Sequence, residues 1–97
     1  MLTISYYVPT RQEMAALYIL QSQTTGKFYI GAALHLEERL NEHYRGHSPY
    51  TRGRGPWHFV YHAIYFTLPE ARRREKQLKS WKSHRSIQEL IDKSKVG

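Results

Sequence analysis

The sequence has 97 residues, of which 40% are hydrophobic and 13% aromatic, a composition typical of one globular domain and not of a disordered chain. Fifteen Lys and Arg against eight Asp and Glu give a net charge of +7, which favours a polyanionic partner, nucleic acid before an anionic membrane surface. The absence of cysteine excludes disulfides and cysteine-based zinc sites, and no membrane span or secretion signal is visible, so we expect a cytoplasmic protein.

The N-terminal part of the chain divides into an extension and the start of a domain. Residues 1–14 predict either a short added strand or a loose tail, because a strand-like run stops at Pro9. Residues 15–97 are predicted to form a single domain. Its first two strands are expected at 16–20 and 28–31, and the turn signal before Phe28 predicts an antiparallel hairpin.

A helix is predicted over residues 34–44, because Leu36 and Leu40 lie four apart and Gly46 can end the helix. An irregular basic loop follows at 47–56. The third strand is predicted at 57–66, with strict alternation of its side chains. One of its faces should then carry Phe59, Tyr61 and Ala63.

Two helices are predicted to complete the domain. The first begins at Thr67, which can cap it, with Pro69 in the first turn, and runs to about Lys82. The second covers 86–93, with Ser86 and Glu89 at capping-box spacing. The fold class is therefore α+β, a three-stranded antiparallel sheet flanked by helices, in the order strand, strand, helix, strand, helix, helix.

Glu75 is a candidate metal ligand. It shares one face of the predicted helix with Ala71 and Leu78, which should turn towards the core. A carboxylate on that side needs a cation, because an unpaired buried charge is costly. The cation could be a nearby arginine, or a Mg²⁺ ion that takes its remaining ligands from water and a phosphate.

Arg39 and His43 are candidates for phosphate chemistry. Arg39 lies at the rim of the apolar stripe of its helix, where a guanidinium can fork onto a phosphate or pair with Glu42 or Glu38. His43, four residues later, could serve as a general acid or a phosphate donor. His43 and His47 have metal-pair spacing, but no third ligand is obvious, so a zinc site is disfavoured.

Tyr18 and Tyr29 lie on the two strands of the predicted hairpin and can project from one face. A tyrosine hydroxyl can activate water when cations lower its pKa, although strand tyrosines usually serve packing. Basic residues for nucleic-acid binding are predicted in the glycine-rich loop and on the following helix: Arg52, Arg54, Arg72, Lys76 and Lys79. They predict a groove that tracks a nucleic-acid backbone, or simply a solvated surface.

These residues lie in four short motifs that resemble those of the GIY-YIG endonuclease superfamily, over about residues 16–91. The motifs are Leu17-Tyr18-Ile19, Tyr29-Ile30-Gly31, the helix segment from Leu36 to His43, and the segment around Arg74-Glu75-Lys76. The subgroup resembled is that of small, single-domain, uncharacterised members.

The resemblance implies hydrolysis of phosphodiester bonds with one divalent cation, Mg²⁺ or Mn²⁺, held by Glu75. It further implies that Arg39 stabilises charge on the phosphate, that Tyr18 or Tyr29 activates water, and that His43 assists. The expected substrate is DNA more than RNA, consistent with repair or recombination, and we expect a monomer.

Two alternatives stay open. Many relatives have an asparagine after the last helix, and residues 91–97 contain none, which favours a non-catalytic nucleic-acid-binding module that keeps the fold. The other alternative is a nuclease subunit that requires a protein partner.

Overall fold

The computed structural model describes residues 14–46 and 51–95. Of the predicted extension only Met14 is described, and residues 47–50 of the basic loop, including His47, lie outside the described residues. The described elements are β1 Ala15–Ser22, β2 Phe28–Ala33, α1 Leu36–Tyr44, β3 Trp57–Tyr65, α2 Leu68–Ser80 and α3 His84–Lys95. This order and the α+β class agree with the prediction. Within those ranges, no helix is long and apolar enough to cross a membrane.

The three strands form one antiparallel sheet in the order β2-β1-β3. β1 is the central strand, and all of its residues from Ala15 to Leu20 are buried. This explains why the strand is a continuous apolar run, since both of its faces are covered. The β1–β2 pairing places Tyr18 opposite Gly31 and Leu20 opposite Tyr29, so both tyrosines project from the same face.

The strict alternation predicted for β3 is wrong at one point. Tyr61 pairs with Ile19, whereas Phe59 pairs with Leu20, so the register shifts and β3 has one extra residue there, Val60. Such a bulge reverses which face the following residues occupy relative to simple alternation. Phe59 therefore lies on the face opposite to that of Tyr61.

Two separate clusters of apolar side chains pack on the two faces of the sheet. On one face, residues of β1 and β2 pack against α2 and α3; the buried members are Leu17, Ile19, Ile30, Leu78, Ile87 and Ile91. On the other face, Tyr18, Leu20 and Trp57 are buried, with Tyr29, Ala33, Leu36 and Leu40 packed against them. The leucine stripe predicted for α1 thus packs on the face that carries Tyr18 and Tyr29, called the tyrosine face below.

The helix ends follow local chemistry. α1 begins at Leu36, two residues later than predicted, and Gly46 follows it with φ +74°. Thr67 caps α2 as predicted, accepting a hydrogen bond from the Glu70 amide. α3 begins at His84 and not at the predicted 86, because Ser83 Oγ accepts from the Ser86 amide, so Ser83 takes the capping position assigned to Ser86.

The β1–β2 turn is tied to the loop that precedes β3. The Ser22 hydroxyl donates to the Arg54 carbonyl (2.6 Å) and accepts from the amides of Thr24 (3.2 Å) and Thr25 (3.1 Å). The Gln23 amide donates to the Pro56 carbonyl at 2.8 Å. Because Ser22 is buried, these bonds hold the described part of the loop, residues 51–56, against the end of the central strand.

Candidate active site

Tyr18 and His43 form the buried centre of the tyrosine face. The Tyr18 hydroxyl is hydrogen-bonded to Nε2 of His43 at 2.8 Å, and Nδ1 of His43 is hydrogen-bonded to the Thr51 hydroxyl at 2.9 Å. All three residues are at most 2% exposed. The chain of bonds links the central strand, α1 and the loop before β3, so it fixes the Tyr18 ring in one position.

Gly31 makes room for the Tyr18 ring. A Cβ atom at position 31 would lie 2.5 Å from both Cζ and Oη of Tyr18 and 3.0 Å from its Cε1. These distances are far shorter than ordinary contacts between carbon atoms, which are about 3.5–4.0 Å. The glycine is therefore required by the close approach of the tyrosine across the strand pair.

Tyr29 lies at the edge of this cluster and is half-buried. Its ring centroid is 6.1 Å from that of Tyr18, 4.8 Å from that of His43 and 6.5 Å from that of Trp57. The Trp57 indole donates to the Thr51 carbonyl at 2.9 Å, which further fixes the loop. The two tyrosines thus lie side by side, with Tyr29 the more accessible to solvent.

Arg39 brings positive charge to the tyrosines from α1. Its guanidinium donates to the Glu42 carboxylate at 2.7 Å, the ion pair considered as one alternative from the sequence. Polar interaction with the Tyr18 hydroxyl is the main cause that raises the pKa of Arg39 above its usual value; burial opposes this rise, and Glu42 adds to it. Arg39 is therefore a fixed cation beside both phenol groups.

The environment of Tyr18 keeps its proton in place. Burial is the main cause that raises the pKa of Tyr18 well above its usual value of 10.0, the neighbouring Tyr29 adds to the rise, and Arg39 opposes it. Burial also lowers the pKa of His43 below 6.5, and the charge of Arg39 acts in the same direction. At neutral pH the pair is therefore an uncharged phenol hydrogen-bonded to an uncharged imidazole.

Glu75 makes no hydrogen bond to the described residues of this cluster. It is on α2, whose buried residues Ala71 and Leu78 face the opposite side of the sheet from Tyr18. Its side chain is 22% exposed, and its carboxylate pairs with Lys79 at 2.6 Å, not with an arginine. Among the described residues, Lys79 is its one hydrogen-bond partner. α2 packs most extensively against β2, the outer strand that carries Tyr29.

A metal ion at Glu75 would need ligands in addition to this one carboxylate. Among residues 14–46 and 51–95, no group of three or more His, Cys, Asp or Glu side chains could hold a metal. A zinc-type site of protein ligands is therefore absent from that part of the chain. A single carboxylate still fits Mg²⁺, which keeps several waters and accepts phosphate oxygens as ligands.

The predicted nucleic-acid-binding residues fall into two groups. Arg52 and Arg54 lie in the loop beside the tyrosine face, both exposed, and Arg52 Nε donates to the Gly46 carbonyl at 2.7 Å. Arg72, Lys76 and Lys79 are exposed on α2, which packs on the other face of the sheet. The loop pair is therefore the group nearer to Tyr18 and His43.

The structure brings four of the predicted residues together, Tyr18, Tyr29, Arg39 and His43, and leaves Glu75 on a helix of the opposite face. Two further residues of the cluster, Gly31 and Thr51, were not among the candidates predicted from the sequence. A glycine inside a strand is a signal of close approach, and it could have identified Gly31. Thr51 carries no comparable signal, because its contact depends on how the loop docks.

Comparisons with known proteins identify the family and agree with the fold. A family model described as the GIY-YIG catalytic domain matches residues 14–88. A UPF0213 protein of Staphylococcus aureus is 33% identical over 72 residues, which cover 73% of this chain and 87% of that protein. A solution NMR structure of a UPF0213 protein from Bacillus halodurans superposes with a TM-score of 0.53 and 31% identity, covering 81% of this chain and 83% of that one.

Proposed function

Because the chain belongs to the GIY-YIG family of nucleases, we propose that it is a divalent-metal-dependent endonuclease that hydrolyses phosphodiester bonds in DNA. The observation that carries the proposal is the packing of Tyr18 and Tyr29 side by side on one sheet face, with the Arg39 guanidinium next to them. A cation fixed beside two phenol groups suits a reaction in which negative charge grows on a phosphate.

Arg39 has the clearest role in this proposal. The scissile phosphate would take the place of the Glu42 carboxylate on the guanidinium, because both present two oxygens to the same planar fork. Arg39 would then stabilise the charge that develops on the phosphate as water attacks phosphorus and the bond to the leaving oxygen breaks.

Tyr29 is better placed than Tyr18 to contact and orient the attacking water. Tyr18 is 1% exposed, its hydroxyl is bonded to His43, and burial raises its pKa. Tyr29 is half-buried at the edge of the same cluster. Tyr18 then positions the neighbouring ring, and His43, with both ring nitrogens hydrogen-bonded, acts by holding Tyr18 and not by contacting the phosphate.

Glu75 would hold the metal ion, together with phosphate oxygens and water. When bound, a divalent ion supplies positive charge to the phosphate and lowers the pKa of a bound water. In this chain the Glu75 carboxylate must first exchange Lys79 for the ion. Lys79 is exposed and Glu75 partly buried; a helical pair four residues apart contributes only about 0.3–0.5 kcal/mol, so the exchange costs little free energy.

The test is cleavage of labelled single-stranded and duplex DNA with Mg²⁺ or Mn²⁺, comparing the wild type with Glu75→Gln. We expect the rate to fall by at least about 100-fold, and EDTA to abolish cleavage. Glu89→Gln is the control, because Glu89 is also a helical carboxylate that pairs with a cation four residues away, and the substitution should leave the rate unchanged. Equal cutting by the wild type and Glu75→Gln would refute the proposal.

A second candidate is a nucleic-acid-binding module without catalysis. It is favoured by the ion pair between Glu75 and Lys79, and because the described ranges contain no group of three or more side chains that could hold a metal ion. It predicts strongly salt-dependent DNA binding, no metal-dependent cleavage, and equal affinity of wild type and Glu75→Gln. The cytoplasmic location, the monomeric state and a role in DNA repair stay predictions from the sequence.

A further inference from the structure

A patch of exposed side chains on β3 lies beside the candidate active site. It consists of Phe59, His62 and Ile64, and is called the β3 patch below. Phe59 is 39% exposed, Ile64 is 44% exposed, and His62 is also exposed. The rings of Phe59 and His62 stack with their centroids 5.4 Å apart and their planes inclined by 27°. The patch is therefore an exposed pair of stacked aromatic rings beside one exposed aliphatic side chain.

The strand register places the β3 patch on the same face as the tyrosines. His62 lies directly opposite Tyr18, and Ile64 lies opposite Ala16. Directly opposed residues have Cβ atoms about 5 Å apart and project from the same face. The bulge at Val60 brings Phe59 to this face as well, opposite Leu20. Without the extra residue, Phe59 and His62 would point to opposite sides.

The helices leave this part of the face open. α1 packs its leucines over Tyr18, Leu20 and Tyr29, whereas α2 and α3 pack on the other face of the sheet. Single exposed apolar residues are common on protein surfaces. A stacked aromatic pair next to a candidate active site is less common and indicates a binding site. Aromatic side chains in such positions stack the bases of single-stranded nucleic acid.

We infer that the β3 patch is a stacking site for an unpaired nucleobase of the bound nucleic acid, next to the phosphate held at Arg39. The inference rests on the proposed function, and it names the substrate feature as an unpaired nucleotide. A base within a duplex has both faces stacked on its neighbours and cannot use the patch. The site therefore selects strands with unpaired bases close to the bond that is cut.

The dimensions of the patch favour a base over a protein partner. A stable protein interface buries about 800 Å² on each partner and involves about 20–30 residues of each. The β3 patch has three side chains, which suffice for one or two bases. The net charge of +7 and the exposed Arg52 and Arg54 in the loop beside Tyr18 supply the attraction to a phosphate backbone.

The experiment measures binding without metal, so that it does not depend on catalysis. A fluorescent single-stranded oligonucleotide and the same sequence as a blunt duplex are titrated with wild type and Phe59→Leu in EDTA. Leucine keeps the apolar contact but has no aromatic face. We expect single-strand affinity to fall by about 5- to 150-fold, the range of one base stack, and duplex affinity to stay within twofold.

Matched variants identify the contact. Phe59→Tyr should retain single-strand affinity, because it keeps the ring. His62→Ala should weaken single-strand binding. His58→Ala is the control and should not, because His58 is an exposed histidine of the same strand that pairs with Gln21 and lies on the sheet face opposite to the β3 patch. A 2-aminopurine base should lose fluorescence on binding to the wild type, and lose less with Phe59→Leu.

The outcomes separate this inference from the proposed function. Failure of the wild type to bind any DNA at low salt would overturn both. Binding that is unchanged in Phe59→Leu, or reduced equally for single strand and duplex, would overturn the stacking site and leave the nuclease proposal untouched. Loss of cleavage in Glu75→Gln, together with a loss of binding in Phe59→Leu that is confined to the single strand, would support both. Thermal melting of each variant checks that the fold is retained.

Discussion

Replacing Gly31 with alanine tests the close contact at the centre of the candidate site. The added methyl would lie 2.5 Å from Cζ and Oη of Tyr18, so the two groups must separate by about 1 Å to reach an ordinary contact. Tyr18 is fully buried among Tyr29, His43 and the sheet, and it has no free space into which to move.

The cost can be estimated from two contributions. Overpacking of a filled core by one methyl costs about 1–3 kcal/mol. A displaced ring also breaks the 2.8 Å hydrogen bond to His43 and leaves buried polar groups unsatisfied, which adds about 1–3 kcal/mol. The two contributions together, about 2–6 kcal/mol, lower the Tm of a domain of this size by about 10 °C or more.

The assay is urea and thermal unfolding followed by circular dichroism, with the Tyr18 and His43 ring signals followed by NMR. Gly26→Ala is the control, because Gly26 has φ +74° and nothing lies within 4 Å of the added methyl. It should cost only the backbone strain, about 1–2 kcal/mol, and leave both ring signals unchanged. If Gly31→Ala is as stable as Gly26→Ala and keeps the Tyr18–His43 bond, the reasoning is wrong.

Two further predictions concern His43. Thr51→Val removes the hydrogen-bond partner of His43 Nδ1 and should destabilise the fold by about 1–3 kcal/mol in urea titrations. We also expect a change in the His43 tautomer, measured by ¹⁵N NMR, and an unchanged tautomer would contradict this prediction. Because burial lowers the pKa of folded His43 below 6.5, the unfolded chain takes up the proton first as the pH falls through 6.5. As the pH falls below 6.5, the free energy of unfolding should decrease, in total by about 1.4 kcal/mol for each pH unit by which the folded pKa lies below the unfolded pKa. The decrease should end below the folded pKa. His43→Gln should remove this part of the pH dependence, and equal slopes for both proteins would exclude it.

The parts of the fold that follow from local patterns could be predicted from the sequence. The apolar run of β1, the leucine pair of α1 and the Thr67 cap each depend on residues close in the chain. The same holds for the placement of Tyr18 and Tyr29 on one face of the sheet, because two strands joined by a short turn leave little freedom of register. The partner of Glu75 was not predicted: an arginine was one expected alternative, whereas the cation that pairs with Glu75 is Lys79, four residues later on the same helix.

The features that escaped prediction depend on tertiary structure. A bulge adds one residue to β3 without any change in composition, so alternation alone placed Phe59 on the wrong face. The start of α3 depends on whether Ser83 or Ser86 caps the helix. Both are serines and either could accept a hydrogen bond from a backbone amide of the first turn. The bond between Thr51 and His43 requires the loop to dock on α1, and Ser22 achieves this through the Arg54 carbonyl.

Tyr18 and Gly31 lie in the packed interior, so stability alone is a sufficient reason for a protein of this fold to keep them. Arg39 and Glu75 are different, because each is paired on its own helix and neither fills the core. A descendant that had lost its chemistry would retain the tyrosine and the glycine, while the arginine and the glutamate would be free to drift. For sequences of this type, the two charged residues are therefore more informative about a working enzyme than the motif that gives the family its name.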